Sequence, residues 1–434
     1  MKLSKQELLA LAAIAVFVAL FFKPVIAGDG FGYYVILEGA VRGHSLNLSN
    51  QLHYNDAAKG PEVMFWKPTG TFFSQYAPGL PLLSAPLYAV SLLLDDFKVF
   101  HINDAFFLQE RGDILVHMAS VAVTSLFFVA VALFLSLALL KKIGLQKHSA
   151  AALLLAFFGT PIIRYATYDL TYTHVVEAGI LAAIVYLFVV QEKKSFLIGL
   201  LLGLMTLVRY TSIVFALPFL AYYLWKRKNS DAMKIVAGVL PFAIAILFYW
   251  WKLFGSPFIS SYAASSVVQG SGSFISALPV YIPNVLFSLA SNPPGLLWWS
   301  PIAVISLLGV WHWKNEKKFV LLGLFAMLLV VTGMSFGGTT GFSFSNRYFA
   351  ALFVVYVIGC AVLLQKFGEK AKIILAAMAC WTAILFLLHL AGEYPNDFPN
   401  FFSMWDYWFT QGNISSLPQK VFEKLGIVRL LLRK

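Results

Sequence analysis

The sequence predicts an all-α polytopic membrane protein, and three observations carry that prediction. Hydrophobic residues make up 60% of the 434 residues and charged residues only 12%, where a soluble protein carries about 25% charged residues. The apolar residues gather in runs long enough to cross a bilayer. Short clusters of lysine separate those runs, and acids collect in one long segment after the first. The net charge of +12 therefore reads as membrane topology, and no nucleic-acid partner is expected. Cys360 and Cys380 lie in apolar runs and offer neither a disulfide framework nor a metal spacing. The chain shows no low-complexity segment and no repeat of fixed period.

The first run, 8–27, is about 20 residues, roughly 30 Å as a helix. Lys2 and Lys5 precede it and predict a cytoplasmic N-terminus. Its length favours an uncleaved anchor over a cleaved signal peptide. Further spans are predicted at 114–140, 150–166, 174–190, 235–254, 294–312, 319–334, 347–365 and 372–391. The stretch 196–225 is flanked by "EKK" and "KRK", so both its ends face the cytoplasm. Two short helices breaking near Arg209 and Tyr210 satisfy that, with protein or water around the break. The total is about 11 membrane segments in a domain over 1–391, placed in the cell or inner membrane.

The first extracytoplasmic loop, 28–113, is the largest region outside the spans. Within it, 31–42 reads as a short interfacial helix with Phe31, Tyr34, Val35 and Val41 on one side. Glu38 and Arg42 pair at i,i+4 on another side. The stretch 79–94 is apolar but short and carries two prolines, so it reads as a surface helix. The tail, 392–434, is aromatic and then basic and amphipathic, and is expected along the outer membrane face.

Four patches hold chemistry. Asp29 sits between Gly28 and Gly30 at the outer end of the first span. A carboxylate there is partly desolvated and suited to proton removal, or it simply ends the helix in a solvated loop. The flanking glycines permit a sharp turn and close approach of a ligand. "RYATYDLTYTHVVEA" (164–178) brings Arg164, Asp169, His174 and Glu177 to the outer ends of two spans. A charge at the depth of Glu177 costs about 2.5–3.5 kcal/mol and calls for a partner or a purpose. Arg164–Asp169 or His174–Glu177 pairs that fix the loop are the simpler reading. "GGTTGFSFSNRYF" (337–349) leads a glycine-rich loop into Arg347 and Tyr348. A guanidinium there suits a phosphate, or it snorkels to lipid headgroups. "WKPTGTFFSQYAPGLPLL" (66–83) places Lys67, Gln75 and Tyr76 before a turn. The chain has no HExxH, CxxC pair, P-loop or GxSxG, and the acids and histidine of 95–104 lack a metal-ligand spacing.

In this order, "GDGFGYY" (28–34), "QYAPGLPLLSAPLY" (75–88), "RYATYDLTYTHVVEA" and "FSNRYF" (344–349) resemble glycosyltransferases of the GT-C fold that use polyprenyl-phosphate sugars. Within that fold they look like the bacterial and archaeal branch of the protein O-mannosyltransferase and aminoarabinose-transferase superfamily. The resemblance implies a GT-C-like bundle and a mannosyltransferase-like activity in cell-envelope glycan assembly. The donor it implies is a sugar on a polyprenyl phosphate. The acceptor is a hydroxyl on a lipid-linked glycan, a lipid or a protein, with membrane lipids around both. It makes Asp29 the general base of an inverting displacement. The family often has a paired Asp-Glu here; Gly30 breaks that pair, leaving Glu38 or Asp169 for the second carboxylate. Arg347 is then the phosphate ligand, with Lys67, Arg209, Tyr348 and Tyr76 as further donor-side candidates. Tyr33, Tyr34, His174, Glu177 and Arg164 are acceptor-side or supporting residues. No cofactor is required by the sequence, and a divalent metal is left open. A secondary transporter, with Arg209 in the broken hairpin, and a lipid-linked glycan ligase or polymerase are the alternatives.

Overall fold

Ser4 starts the first helix, α1 (Lys5–Phe21). Its hydroxyl accepts from the Glu7 amide at 3.2 Å while the Glu7 carboxylate accepts from the Ser4 amide at 2.7 Å, a reciprocal capping box. The computed structural model describes residues 2–23, 26, 28–55, 62–96, 114–269, 289–290, 295–336, 344–392 and 401–425. The glycine-rich stretch 337–343, residues 97–113 and the end of the tail lie outside them.

Helices follow the apolar runs: α2 (Asp29–Val41), α3 (Gly79–Asp96), α4 (Ile114–Lys142), α5 (Ser149–Gly159), α6 (Ile162–Tyr165) and α7 (His174–Val190). The segment expected to break does so. α8 (Ser195–Val208) stops at Arg209, a 3₁₀ turn covers Tyr210–Phe215, and α9 (Ala216–Trp225) returns. Then come α10 (Asn229–Phe254), α11 (Ser261–Val268), α12 (Leu296–Trp299), α13 (Pro301–His312), α14 (Lys318–Phe336) and a 3₁₀ turn at Arg347–Leu352. α15 (Phe353–Ala391) breaks at Gly368, whose φ of 57° is open to glycine at little cost. That break falls between the expected spans 347–365 and 372–391. α16 (Phe401–Trp405) and α17 (Leu417–Lys424) close the order.

Among the described residues, three helical stretches are by length and composition able to cross a bilayer alone: His117–Lys142, Asn229–Phe254 and Arg347–Ala391. The other apolar helices are shorter, as at His174–Val190 and Ser195–Val208. The expected span 150–166 ends early because Pro161 follows Gly159 and Thr160 and cannot continue the ladder. α8 and α10 cross closely. A Cβ on Gly199 would lie 2.3 Å from the Ile235 carbonyl oxygen, and one on Gly238 2.5 Å from that of Phe196.

Two expectations for the first loop need correction. Residues 29–41 form a helix, but its residues from Gly30 to Gly39 are all buried, Glu38 included. It is a core element, covered in part by Leu48 and Tyr54 and packed on α3. The loop also holds a hairpin the sequence reading missed, β1 (Met64–Trp66) antiparallel to β2 (Thr71–Phe73), with Trp66 paired to Thr71. Trp66 and Phe73 pack edge-on against Phe254 at the end of α10. In the tail, Trp408 is buried and donates to the Leu388 carbonyl at 3.1 Å.

Candidate functional site at the start of the second helix

Gly28 caps α2 with φ 52°, and a Cβ there would lie 2.2 Å from the Tyr172 hydroxyl. A Cβ on Gly30 would lie 2.4 Å from the Thr171 hydroxyl. The glycines around Asp29 thus admit the chain's own residues from the turn before α7. Asp29 occupies the first turn of α2, where the helix dipole favours a carboxylate.

Arg347 begins its 3₁₀ turn and reaches across, its Nη2 3.0 Å from Asp29 Oδ2. Its guanidinium also lies 5.5 Å from the Tyr172 ring and 5.4 Å from the Tyr348 ring. Residues 318 positions apart in sequence (347 minus 29) meet in one ion pair whose members are 17% and 26% exposed.

Arg209, at the break in the hairpin, lies 3.9 Å over the Tyr348 ring. Its Nη1 is 3.1 Å from His174 Nδ1 and 3.5 Å from Glu177 Oε2. A guanidinium only donates, so Nδ1 accepts and His174 is neutral with its proton on Nε2. Ser212 donates a short hydrogen bond to the other Glu177 oxygen. The buried carboxylate of Glu177 thus has partners, as its depth demanded.

A residue absent from the sequence candidates joins this group. Glu62 Oε2 would be 2.8 Å from a Cβ on Gly32, and the Tyr76 ring would be 2.0 Å from it. Gly32, one turn after Asp29, therefore leaves room for both side chains. Burial first, and then the charge of Asp29, push the Glu62 carboxyl up to about 7. Burial and the charges of Asp29 and Glu62 also hold the Tyr76 hydroxyl well above its ordinary value, so it remains a donor. Tyr33 packs on Tyr76 at 4.8 Å between ring centroids, and its hydroxyl is 3.5 Å from that of Thr173. Among the described residues, Glu62 Oε2, Arg347 Nε, Arg209 Nε and Asn346 Oδ1 are buried without a hydrogen bond.

Other sequence candidates stand elsewhere. Glu38 is nine residues along α2 from Asp29, about 13 Å by helix rise, beside Arg42 at 3.9 Å. It does not supply the second carboxylate here. Asp169 is bonded to Arg164, Nε to Oδ2 at 2.5 Å, and Arg164 Nη1 is 2.7 Å from His389 Nδ1. These three fix the 164–169 turn to α15, which is the simpler reading of that motif. Tyr34 faces away, against Tyr54 and Tyr88 at 5.7 and 6.0 Å. Lys67 is exposed in the hairpin turn, without a bond to Arg347 or Asp29. No group of three or more His, Cys, Asp or Glu converges among the described residues. Comparisons with known protein families, curated proteins and solved structures found no match.

Proposed function

We propose that the chain is a membrane glycosyltransferase moving a sugar from a polyprenyl phosphate to an acceptor hydroxyl on the extracytoplasmic face. The proposed architecture is a GT-C-like bundle of about 11 membrane segments with an inner N-terminus. The observation that carries the reading is the Asp29–Arg347 ion pair, a base candidate and a phosphate ligand brought together at one end of the helices.

In this reading the donor phosphate draws Arg347 from Asp29 and so frees the carboxylate. Asp29 takes the acceptor proton as the hydroxyl oxygen bonds to the anomeric carbon. The bond from that carbon to the phosphate oxygen breaks, its electrons pass to the phosphate, and the configuration inverts. Arg347 meets the charge that develops on the leaving phosphate. A phosphate leaves without a proton, so no general acid is invoked. Glu62 and the Tyr76 hydroxyl, beside Asp29, orient the acceptor. Asp29 and Arg347 stand at the starts of their helical segments, which favours this reading over a transporter, whose site lies near the midplane.

The test is Asp29→Asn in purified, reconstituted protein supplied with polyprenyl-phosphate sugars extracted from membranes, with products read by mass spectrometry. Transfer should fall by about 10²–10⁴ with the helical content unchanged. A folded variant transferring at the wild-type rate would remove Asp29 as the base, and uptake of substrate without transfer would favour the transporter.

A further inference from the structure

Just after α1 ends at Phe21, the ammonium of Lys23 turns back onto the chain. It donates to the Tyr168 hydroxyl at 3.2 Å and lies 4.3 Å from the centre of that ring. A snorkelling lysine carries its charge away from the protein, whereas this one is drawn inward. Arg164 also stands over the Tyr168 ring, at 5.5 Å, but its guanidinium is taken by Asp169 and His389.

A third cation comes from the tail. In α17, Leu417, Val421 and Lys424 recur at i, i+4 and i+7 and share one face. Leu417 and Val421 pack on the core, and α17 packs on α15. Lys424 is therefore turned toward the body of the protein and is only partly exposed. Burial alone would raise the Tyr168 hydroxyl, but the charges of Lys23, Lys424 and Arg164 outweigh it and hold the hydroxyl below its ordinary value. Two ammoniums from positions 401 residues apart (424 minus 23) thus act on one phenol oxygen. The nearby carboxylates are engaged elsewhere: Asp169 by Arg164, and Glu423 by Gln419 at 3.0 Å. Among the described residues neither Lys23 nor Lys424 forms an ion pair. Around this cluster the tail presents a surface suited to a bilayer. Trp405 and Phe409 stack at 4.2 Å and, like Phe422, are exposed. Aromatic and basic side chains together sit at the headgroup level of a membrane.

We infer that Lys23, Tyr168 and Lys424 hold the phosphate of an anionic phospholipid headgroup, which fastens the tail to the end of α1. The phosphate oxygens accept from both ammoniums and from the phenol, and their charge offsets the repulsion between the two lysines. A zwitterionic headgroup brings its own cation into the cluster and fits less well. None of the three residues belongs to the Asp29–Arg347 pair. The inference goes beyond the transferase reading and rests only on placing this end of α1 at the outer leaflet.

Native mass spectrometry of the full-length protein in detergent, titrated with dioleoyl phosphatidylglycerol or dioleoyl phosphatidylcholine, tests it. The inference expects phosphatidylglycerol to bind about tenfold more tightly. That preference should be lost in Lys23→Gln and in Lys424→Gln and kept in Lys23→Arg. Lys252→Gln removes the same charge from an exposed position in the last turn of α10 and should leave the preference unchanged. Circular dichroism and melting temperature establish which variants are folded, and Lys424→Gln, in the tail, decides the matter if Lys23→Gln does not fold. Equal binding of the two lipids by the wild type, or an undiminished preference in Lys424→Gln, overturns the inference. An equal loss in Lys252→Gln marks a diffuse effect of charge and also overturns it. Displacement of phosphatidylglycerol by millimolar inorganic phosphate marks a site for a soluble anion and overturns the lipid assignment. Each of these results leaves the transferase reading standing.

Discussion

Glu7, in the first turn of α1, and Asp29, in the first turn of α2, are each a carboxylate beside a base. Glu7 is buried and fully engaged. One oxygen accepts from Ser149 at 2.8 Å, and the other accepts from the Ser4 amide and Lys141 at 2.7 and 2.6 Å. Asp29 has one partner, Arg347, and around that pair Glu62, Arg209 and Arg347 each keep a buried polar atom without a bond among the described residues. A network with every valence used fixes helices. One with donors and acceptors left over has bonds still to make, and in the proposed function a substrate makes them.

The difference can be broken by mutation in either network. Glu7→Ala strips the partner from Lys141 and Ser149 and should lower stability by about 3–5 kcal/mol, read as a loss of melting temperature. Transfer per folded molecule should not change. Arg347→Ala should do the opposite, cutting transfer by about 10²–10³ with a small change in melting, since Asp29 remains partly solvated. If Arg347→Ala instead melts like Glu7→Ala and the folded fraction stays active, the Asp29 pair is structural as well.

Glu62→Gln sharpens the comparison through pH. The folded value of about 7 stands above the unfolded 4.5, so ionisation is disfavoured in the folded protein. That cost is absent below pH 4.5, grows as pH rises, and levels off above about 7. The glutamine variant never ionises. It should match wild type near pH 4.5 and exceed it by about 2–3 kcal/mol near pH 8. A constant difference across that range would mean Glu62 is not held in the buried environment described. The smallest effect is expected at Glu316, 44% exposed beside Lys226. Glu316→Gln should change stability by less than about 1 kcal/mol and leave transfer unaltered, read in the same two assays.

Much of the helical layout was legible because hydropathy and lysine clusters are local signals. His174–Val190 coincides with its predicted span, and the breaks at Arg209 and Gly368 fall where flanking charge or the gap between runs put them. The meeting of Asp29 with Arg347 was legible only as a consequence of placing both at outer helix ends. Glu62 was not legible. It lies in a loop without periodicity, and Gly32, which makes room for it, reads in sequence as one of several glycines. Glu38 misled for the same reason. Helix rise alone separates it from Asp29, but its burial depends on residues far along the chain. The glycines around Asp29 were expected to admit a ligand, yet Tyr172 and Thr171 take that space.

The most direct test is an experimental structure of the protein with a long-chain polyprenyl monophosphate bound. The account predicts the phosphate against the Arg347 guanidinium, with the 3.0 Å contact to Asp29 opened. A phosphate bound elsewhere, with the Asp29–Arg347 pair intact, would contradict it.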